Sequence, residues 1–288
     1  MRYAIITNPV SGNISVNQKR SVLANASKIL HTKIYGLDTV TTDDFGRCAR
    51  ELARHFDVLV VAGGDGTLSD VINSIDITQT IIAFLPLGTG NAMRYALHYK
   101  GSLTDIAMRI KDGRIHEYDL VNCDKKKRAF MASIGIEGVL IRLRNQYVTQ
   151  GSTGFRTYLR ATFNAYFREY ERATATFTVD GKTFNAKNML SLMVVKQPYY
   201  GFGMKVVSKA RFDDRNLHIL CINSELFKVA IGALTAFTIG NRIGNYCTGK
   251  KISVKLKDPL MLQLDGSCAW KSNVFSFSVM PNALKIKH

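Results

Sequence analysis

The 288-residue chain is poor in cysteine and has no two cysteines in C-x-x-C spacing. Its five cysteines (Cys48, Cys123, Cys221, Cys247, Cys268) are odd in number and far apart. That argues against a disulfide framework or a zinc site and fits reduced thiols in a cytosolic protein. No run reaches the ~18 unbroken apolar residues of a membrane span. The nearest, Val229 to Gly240, is short and interrupted by Gly and Thr. Only five prolines occur, with no Pro/Ser-rich linker, internal repeat or low-complexity segment. Acidic residues are scarce too: 22 Asp and Glu face 39 Lys and Arg, a formal net charge of +17. This charge admits nucleic acid, an anionic membrane surface or a polyanionic substrate and does not choose among them. Two nucleotide fingerprints are missing: no G-x-x-x-x-G-K-[ST] occurs, and no G-x-G-x-x-G opens the first helix.

What is present is a chain with 46% apolar residues, enough to bury a sizeable core in one large or two ordinary domains. The N-terminal MRYAIITNPV is too short for a signal peptide and reads as a first strand. Strand, turn and helix then recur three times. Tyr3–Thr7 leads into Asn8 to Gly12, Val58–Ala62 into Gly63 to Thr67, and Ile81–Leu85 into Gly88 to Asn91. Helices are expected over Val16–Leu30, from Thr41 to His55, over Leu68–Ser74 and over Ala92–Leu97. Such alternation predicts a parallel, helix-covered sheet with the three turns on one edge, where open α/β sheets bind ligands.

After Asp119 the pattern changes. Phe130–Ile136, Ala173–Val179, Thr183–Asn185, Met189–Val195, Leu217–Ile222, Lys251–Leu256, Met261–Leu264 and Val274–Val279 read as strands of an antiparallel sandwich. Only Arg156–Arg172 and Leu226–Asn241 read as helical there. The predicted architecture is an α/β nucleotide-binding domain over 1–119 and a β-rich, acceptor-binding domain over 120–279. The end of the chain, 280–288, is open to return to the first, and the active site is placed in the cleft between the two.

Each turn offers backbone N–H groups plus a hydroxyl or amide: Asn8, Ser11, Thr67, Thr89 and Asn91. Glycines there allow positive φ and close approach to an anion. Asp65 is unusual in such a turn, because a carboxylate repels bare phosphate. Either it serves phosphoryl transfer, through a cation or as a base, or it caps the next helix.

NPVSG, GGDGTLSDVIN and LPLGTGNAMRYAL, in this order and spacing, resemble the diacylglycerol kinase-like lipid kinases. That group includes bacterial soluble diacylglycerol kinases and sphingoid-base kinases and is distantly related to NAD kinases. KARFDDRNLHI (Lys209–Ile219) is similar to the family's A-x-x-D-D-G-x-L segment, and QLDGS (Gln263–Ser267) to its Q-x-D-G-E turn. The resemblance implies transfer of the γ-phosphoryl group of ATP to a lipid hydroxyl, with Mg2+. It places Asn8, Pro9, Val10, Ser11, Gly12, Thr42 (Thr41 being nearly as good), Gly63, Gly64, Asp65, Gly66, Thr67, Leu68, Ser69, Asp70, Gly88, Thr89, Gly90 and Asn91 around the nucleotide. Asp65 belongs to the magnesium–water network or acts as base. A structural magnesium is implied at Asp214, with backbone carbonyls of Arg211 and Asn216.

Two departures stand out. The family's glutamate base falls at Ser267, which leaves Asp65 or Asp265 for that role, or a weak or absent activity. The glycine of D-D-G is Arg215, which strains a positive φ and puts the metal in question.

The aromatic and basic stretch Phe155–Arg172 suits an anionic bilayer surface, its alternative being a core-packed helix with a solvated Arg face. The resulting expectation is a cytoplasmic lipid kinase, peripheral at the inner membrane face, with a lipid substrate, no nucleic-acid partner and a homodimer left open. Two other readings are an NAD kinase, against which NPVSG and GTGN argue, and a non-catalytic lipid- or nucleotide-binding homologue. A nucleic-acid binder rests on charge alone.

Overall fold

The computed structural model describes residues 1–12, 14–88, 90–152 and 154–288. The chain forms two compact units: Met1–Tyr118 with Gly201–Gly203 and Pro281–His288, and Asp119–Tyr200 with Met204–Met280.

The first unit runs β1 (Tyr3–Ile6), α1 (Val16–Ile29), β2 (Ile34–Tyr35), α2 (Thr42–His55), β3 (Val58–Gly63), α3 (Asp65–Ser74), β4 (Ile81–Pro86), α4 (Ala92–Ala96) and α5 (Leu103–Asp112). β2, β1, β3 and β4 are adjacent in that order and all parallel, and Lys285 and Ile286 from the chain's last strand add to β4, also in parallel. All six residues of β3 are buried, because helices cover both faces of a parallel sheet. Local chemistry sets the helix starts. Ser15, Thr41 and Ser102 each form a reciprocal capping box, with Gln18, Asp44 and Asp105 respectively. The sequence reading missed α5.

β5 (Ile115–Cys123) carries the chain into the second unit. There follow β6 (Lys127–Ala129), β7 (Met131–Gly135), α6 (Ile136–Thr149), α7 (Phe155–Asn164), β8 (Ala173–Val179), β9 (Lys182–Met189), β10 (Ser191–Val195), β11 (Leu217–Ile222), α8 (Leu226–Ala236), β12 (Asn245–Gly249), β13 (Lys251–Leu264) and β14 (Ser267–Lys287). The pairs β5–β6, β7–β10, β10–β11, β11–β12, β7–β13, β8–β13, β8–β9 and β13–β14 are antiparallel. β13 serves two layers. Its first half, Ile252–Leu256, pairs with β8 and its end, Leu262–Leu264, with β7, across register shifts between Lys255 and Leu260 and between Met261 and Gln263. A bulged long strand of this kind closes a sandwich around one core, here Ile134, Phe177, Leu192, Ile219, Val254 and Phe275 among others.

Four sequence expectations are corrected in this unit. The two strands read at Lys251–Leu256 and Met261–Leu264 are one, and Val274–Val279 is a fragment of the 21-residue β14. β5, β6 and β12 were not read at all. The helical list omitted α6, whose opening Ile136, Val139, Leu140 and Ile141 look like strand residues. Gly135, at φ 133°, breaks β7 immediately before it, and Leu143 and Ile136 then pack on Ala161 and Ala165 of the next helical segment.

Candidate functional site

In the first unit the three turns meet at the carboxyl ends of β1, β3 and β4. Gly63 O accepts the N–H groups of Leu87 (2.8 Å) and Gly88 (3.2 Å), which fastens the third turn to the second. A Cβ on Gly88 would stand 2.5 Å from the Cα of Gly64, and one on Gly12 would stand 3.9 Å from Leu87 O. Gly12 is left-handed, at φ 72°. Gly63, Gly64, Gly66, Gly88 and Gly90 are not. Gly64 and Gly88 are small because their two backbones touch, and Gly63 because a Cβ there would run into the Thr67 side chain. The outcome is a cradle lined by main chain, which admits a phosphate close to amide groups.

The second turn is also shorter than read. α3 begins at Asp65, not Leu68, so Asp65, Gly66 and Thr67 form the helix's first turn after an extended Gly64 that offers no side-chain cap. The first N–H groups of such a helix have no intrahelical acceptor and favour an anion. Asn91, left-handed at φ 42°, donates through Nδ2 to Gly88 O, while its Oδ1 is buried without a partner among the described residues.

The Asp65 carboxylate accepts the N–H of Ala92 (2.8 Å) and of Met93 (3.0 Å). It therefore does cap a helix, but α4 rather than its own. Burial pushes its pKa up, against the lowering effect of those amide bonds. Beneath the first turn lies a residue that sequence reasoning missed. Lys19, only 1% exposed, donates Nζ to the carbonyls of Asn8 (2.7 Å) and Pro9 (2.8 Å), and burial pulls its pKa down. Its only signal in the sequence was a lysine on the inward side of α1, a place for an apolar residue.

Other nucleotide residues of the sequence reading fall in three groups. Asn8 is built into its own turn, its Oδ1 accepting the Val10 N–H (3.0 Å) and its carbonyl the Ser11 hydroxyl (2.9 Å); Pro9 is in the same turn, and the Val10 side chain is exposed. Thr67 and Leu68 are buried on α3, whereas Ser69 and Asp70 are half-buried farther along it. Thr42 is the exposed first residue of α2, and the capping hydroxyl is that of Thr41. Thr89 lies outside the described residues; Gly90 O accepts the Phe202 N–H at 2.8 Å.

In the second unit Asp265 sits at φ 45° in the turn between β13 and β14, with its carboxylate accepting the N–H of Met131 (2.9 Å) and Phe130 (3.1 Å). It locks the start of β7. Ser267 is the exposed first residue of β14. Glu137, on the first turn of α6, is buried; its Oε1 accepts the Ser191 hydroxyl (2.5 Å), Oε2 has no partner among the described residues, and burial lifts its pKa to about 7.

The implied structural magnesium does not fit this chain. Among Asp214, Asn216 and Asp119 stands the ammonium of Lys196, fully buried, and Arg211 turns its N–H toward His218 Nε2 (3.1 Å). Among the described residues no group of three or more His, Cys, Asp or Glu side chains could hold a metal ion.

Comparisons with known proteins bear on the whole chain. Residues 2–123 match the family described as diacylglycerol kinase catalytic domain, and residues 131–288 match the YegS C-terminal NAD kinase beta sandwich-like domain. The chain is 25% identical over 284 residues to the diacylglycerol kinase of Staphylococcus saprophyticus, covering 94% of this chain and 90% of that one. A crystal structure of a diacylglycerol kinase from Bacillus anthracis shares the fold with a TM-score of 0.73 at 16% identity, covering 100% of this chain and 96% of that one. An NAD kinase from Archaeoglobus fulgidus in complex with ATP is similar at a TM-score of 0.53 and 11% identity, covering 100% and 94%.

Proposed function

From the premise that the chain belongs to the diacylglycerol kinase family, with that family's catalytic domain followed by the NAD kinase-like beta sandwich, we propose that it is an ATP-dependent lipid kinase. It transfers the γ-phosphoryl group to the hydroxyl of diacylglycerol or a related lipid. The observation that carries this reading is the glycine cradle: Gly64 against Gly88, beside Gly12, with Asp65 bound across to α4. Main-chain amides of the cradle and the α3 N-terminus hold the phosphates, and Lys19 adds a positive charge behind the first turn. In the transfer the lipid oxygen forms a bond to the γ-phosphorus, the bond from that phosphorus to the β–γ bridging oxygen breaks, ADP leaves, and the lipid hydroxyl's proton passes to a base. Asp65 is the base we assign, since burial raises its proton affinity. Magnesium carried in on ATP would neutralise phosphate charge.

A lipid acceptor implies a membrane surface, and two helices of the second unit supply one. α7 turns its small residues Thr157 and Ala161 inward and leaves Phe155, Leu159 and Phe163 exposed, with Phe167 exposed just beyond its end. The opposite face of the segment packs through Ala161 and Ala165 into a core cluster with Ile136, Leu143 and Leu190. α8 buries only Gly232 and Ala236 and exposes Leu226, Phe227, Ile231 and Leu234. The Phe155 and Phe237 rings meet at 6.2 Å, joining the two surfaces. Arg156, Arg160, Arg168, Lys228 and Arg242 are exposed in the same segments. Apolar side chains ringed by arginine and lysine suit an anionic bilayer.

The test incubates the protein with γ-labelled ATP, Mg2+ and, separately, diacylglycerol, a sphingoid base, monoacylglycerol and NAD. Labelled lipid is the expected product. Labelled NADP alone would favour an NAD kinase, and bound nucleotide without any labelled product would favour the non-catalytic reading that Ser267 suggests.

A further inference from the structure

We propose that Lys196 is the resident cation of the second unit, an ammonium built into the chain where a divalent ion would otherwise hold the loop Arg211–Asn216. The inference stands apart from the reaction proposed above. Nζ of Lys196 lies 2.6 Å from Asp214 Oδ1, 2.6 Å from the carbonyl of Asn216 and 3.0 Å from Asp119 Oδ2. Three hard oxygens, two of them carboxylate, are the set a divalent ion takes, and an ammonium has three N–H donors to match them one for one.

The surroundings are built to hold that arrangement. Lys196 directly follows β10, and its own N–H is fixed by Phe130 O at 2.8 Å. Asp119, on β5, donates its N–H to Phe212 O (2.7 Å) and receives the Arg215 N–H on Oδ2 (2.7 Å). Arg215 is thereby kept left-handed, at φ 58°, in the place where a glycine would rest without strain. Asp214 Oδ1 also takes the Asn216 N–H at 3.2 Å, and its Oδ2 lies 3.0 Å from His218 Nε2. The side chains of Lys196 and Asp119 have no exposed area. A metal ion could enter only by expelling the ammonium, which would then lie buried without its carboxylates.

Thermal unfolding of the nucleotide-free protein, with and without chelator, is the first measurement. The midpoint should be the same in EDTA and in millimolar Mg2+, Ca2+ or Mn2+. Lys196→Ala should lower it by on the order of 10 °C, because two carboxylates are left facing each other without a cation. Mn2+, Mg2+ or Ca2+ should then restore most of that loss while Na+ at equal ionic strength does not. Electron paramagnetic resonance should count one held Mn2+ per chain in the variant and none in the parent. Adding Asp119→Asn to Lys196→Ala should abolish the rescue.

The proposal is overturned if EDTA lowers the parent's midpoint, if the parent holds Mn2+ in a nucleotide-free Asp65→Asn background, or if Lys196→Ala is indifferent to divalent ions. Should Lys196→Ala fold only when a divalent ion is present, that requirement is itself the expected rescue. Should it fold under no condition, the two measurements on the parent still decide.

Discussion

Asp65 holds two amides of α4 and is raised in proton affinity by burial, so one side chain fixes the third turn, and in our proposal it takes the proton of the lipid hydroxyl. Asp65→Asn keeps the shape and removes the charge. Transfer should fall by roughly 10²–10⁴-fold in the labelled-phosphate assay, and the unfolding midpoint should drop by about a few degrees, because an amide can accept only one of the two α4 N–H groups that the carboxylate now takes. An unchanged rate would remove Asp65 from the reaction. Ser267→Glu in the same assay should raise the rate if a missing base limits it, and no gain would assign the proton to a group already present.

Glu137 gives the fold a pH signature. Its folded-state pKa of about 7 lies above the unfolded 4.5. Below 4.5 it is protonated in both states and costs nothing. Between 4.5 and about 7 the unfolded chain ionises first, so stability falls as pH rises through this window and the loss is complete above it. The full cost is on the order of 3 kcal/mol. Glu137→Gln should flatten the decline in denaturant midpoint between pH 5 and 8; a decline of the same steepness would show that another group sets it.

At the scale of elements the cradle depends on an absence of side chains. Because a Cβ on Gly88 would reach within 2.5 Å of Gly64 Cα, backbone against backbone, Gly88→Ala should push the third turn off the second. Nucleotide affinity measured by calorimetry should drop at least tenfold, whereas Gly181→Ala, at φ 87° in a hairpin turn of the other unit, should cost some stability through backbone strain and leave affinity unchanged. Equal affinity of Gly88→Ala and the parent would mean the contact is not part of the site. Why Gly64 and Gly88 are glycines was hidden from the sequence: the motif shows that small residues are required, and only the packed turns show that at these two positions contact, not φ, requires them. α6 was hidden for a related reason. Its first residues are β-branched and apolar, and the choice between strand and helix was made by Gly135 and by packing on Ala161 and Ala165.

At the scale of the whole molecule, +17 of formal charge meets a patch of exposed phenylalanine and leucine. Among the described residues no helix is long and apolar enough to cross a membrane. Cosedimentation with vesicles containing phosphatidylserine should therefore be strong, weaken with salt, and fall at least tenfold for the pair Phe227→Glu and Leu234→Glu. Nucleotide affinity in the same variant should be unaffected, since both residues belong to the second unit. Binding that survives both changes would place the docking surface elsewhere.

The sequence by itself determined the parallel first unit, the antiparallel second and the three turns that meet, because periodicity, capping residues and glycine-rich strand ends are local signals. It also identified the motifs that carry the family. Tertiary structure alone decided which charges are buried and what they touch. Lys19 and Lys196 are unremarkable letters in a lysine-rich chain, and each becomes the cation of a turn only because distant segments bring carbonyls or carboxylates within 3.0 Å. Ion pairing across the sequence depends on the fold, so no local pattern could record that a lysine stands where magnesium was expected.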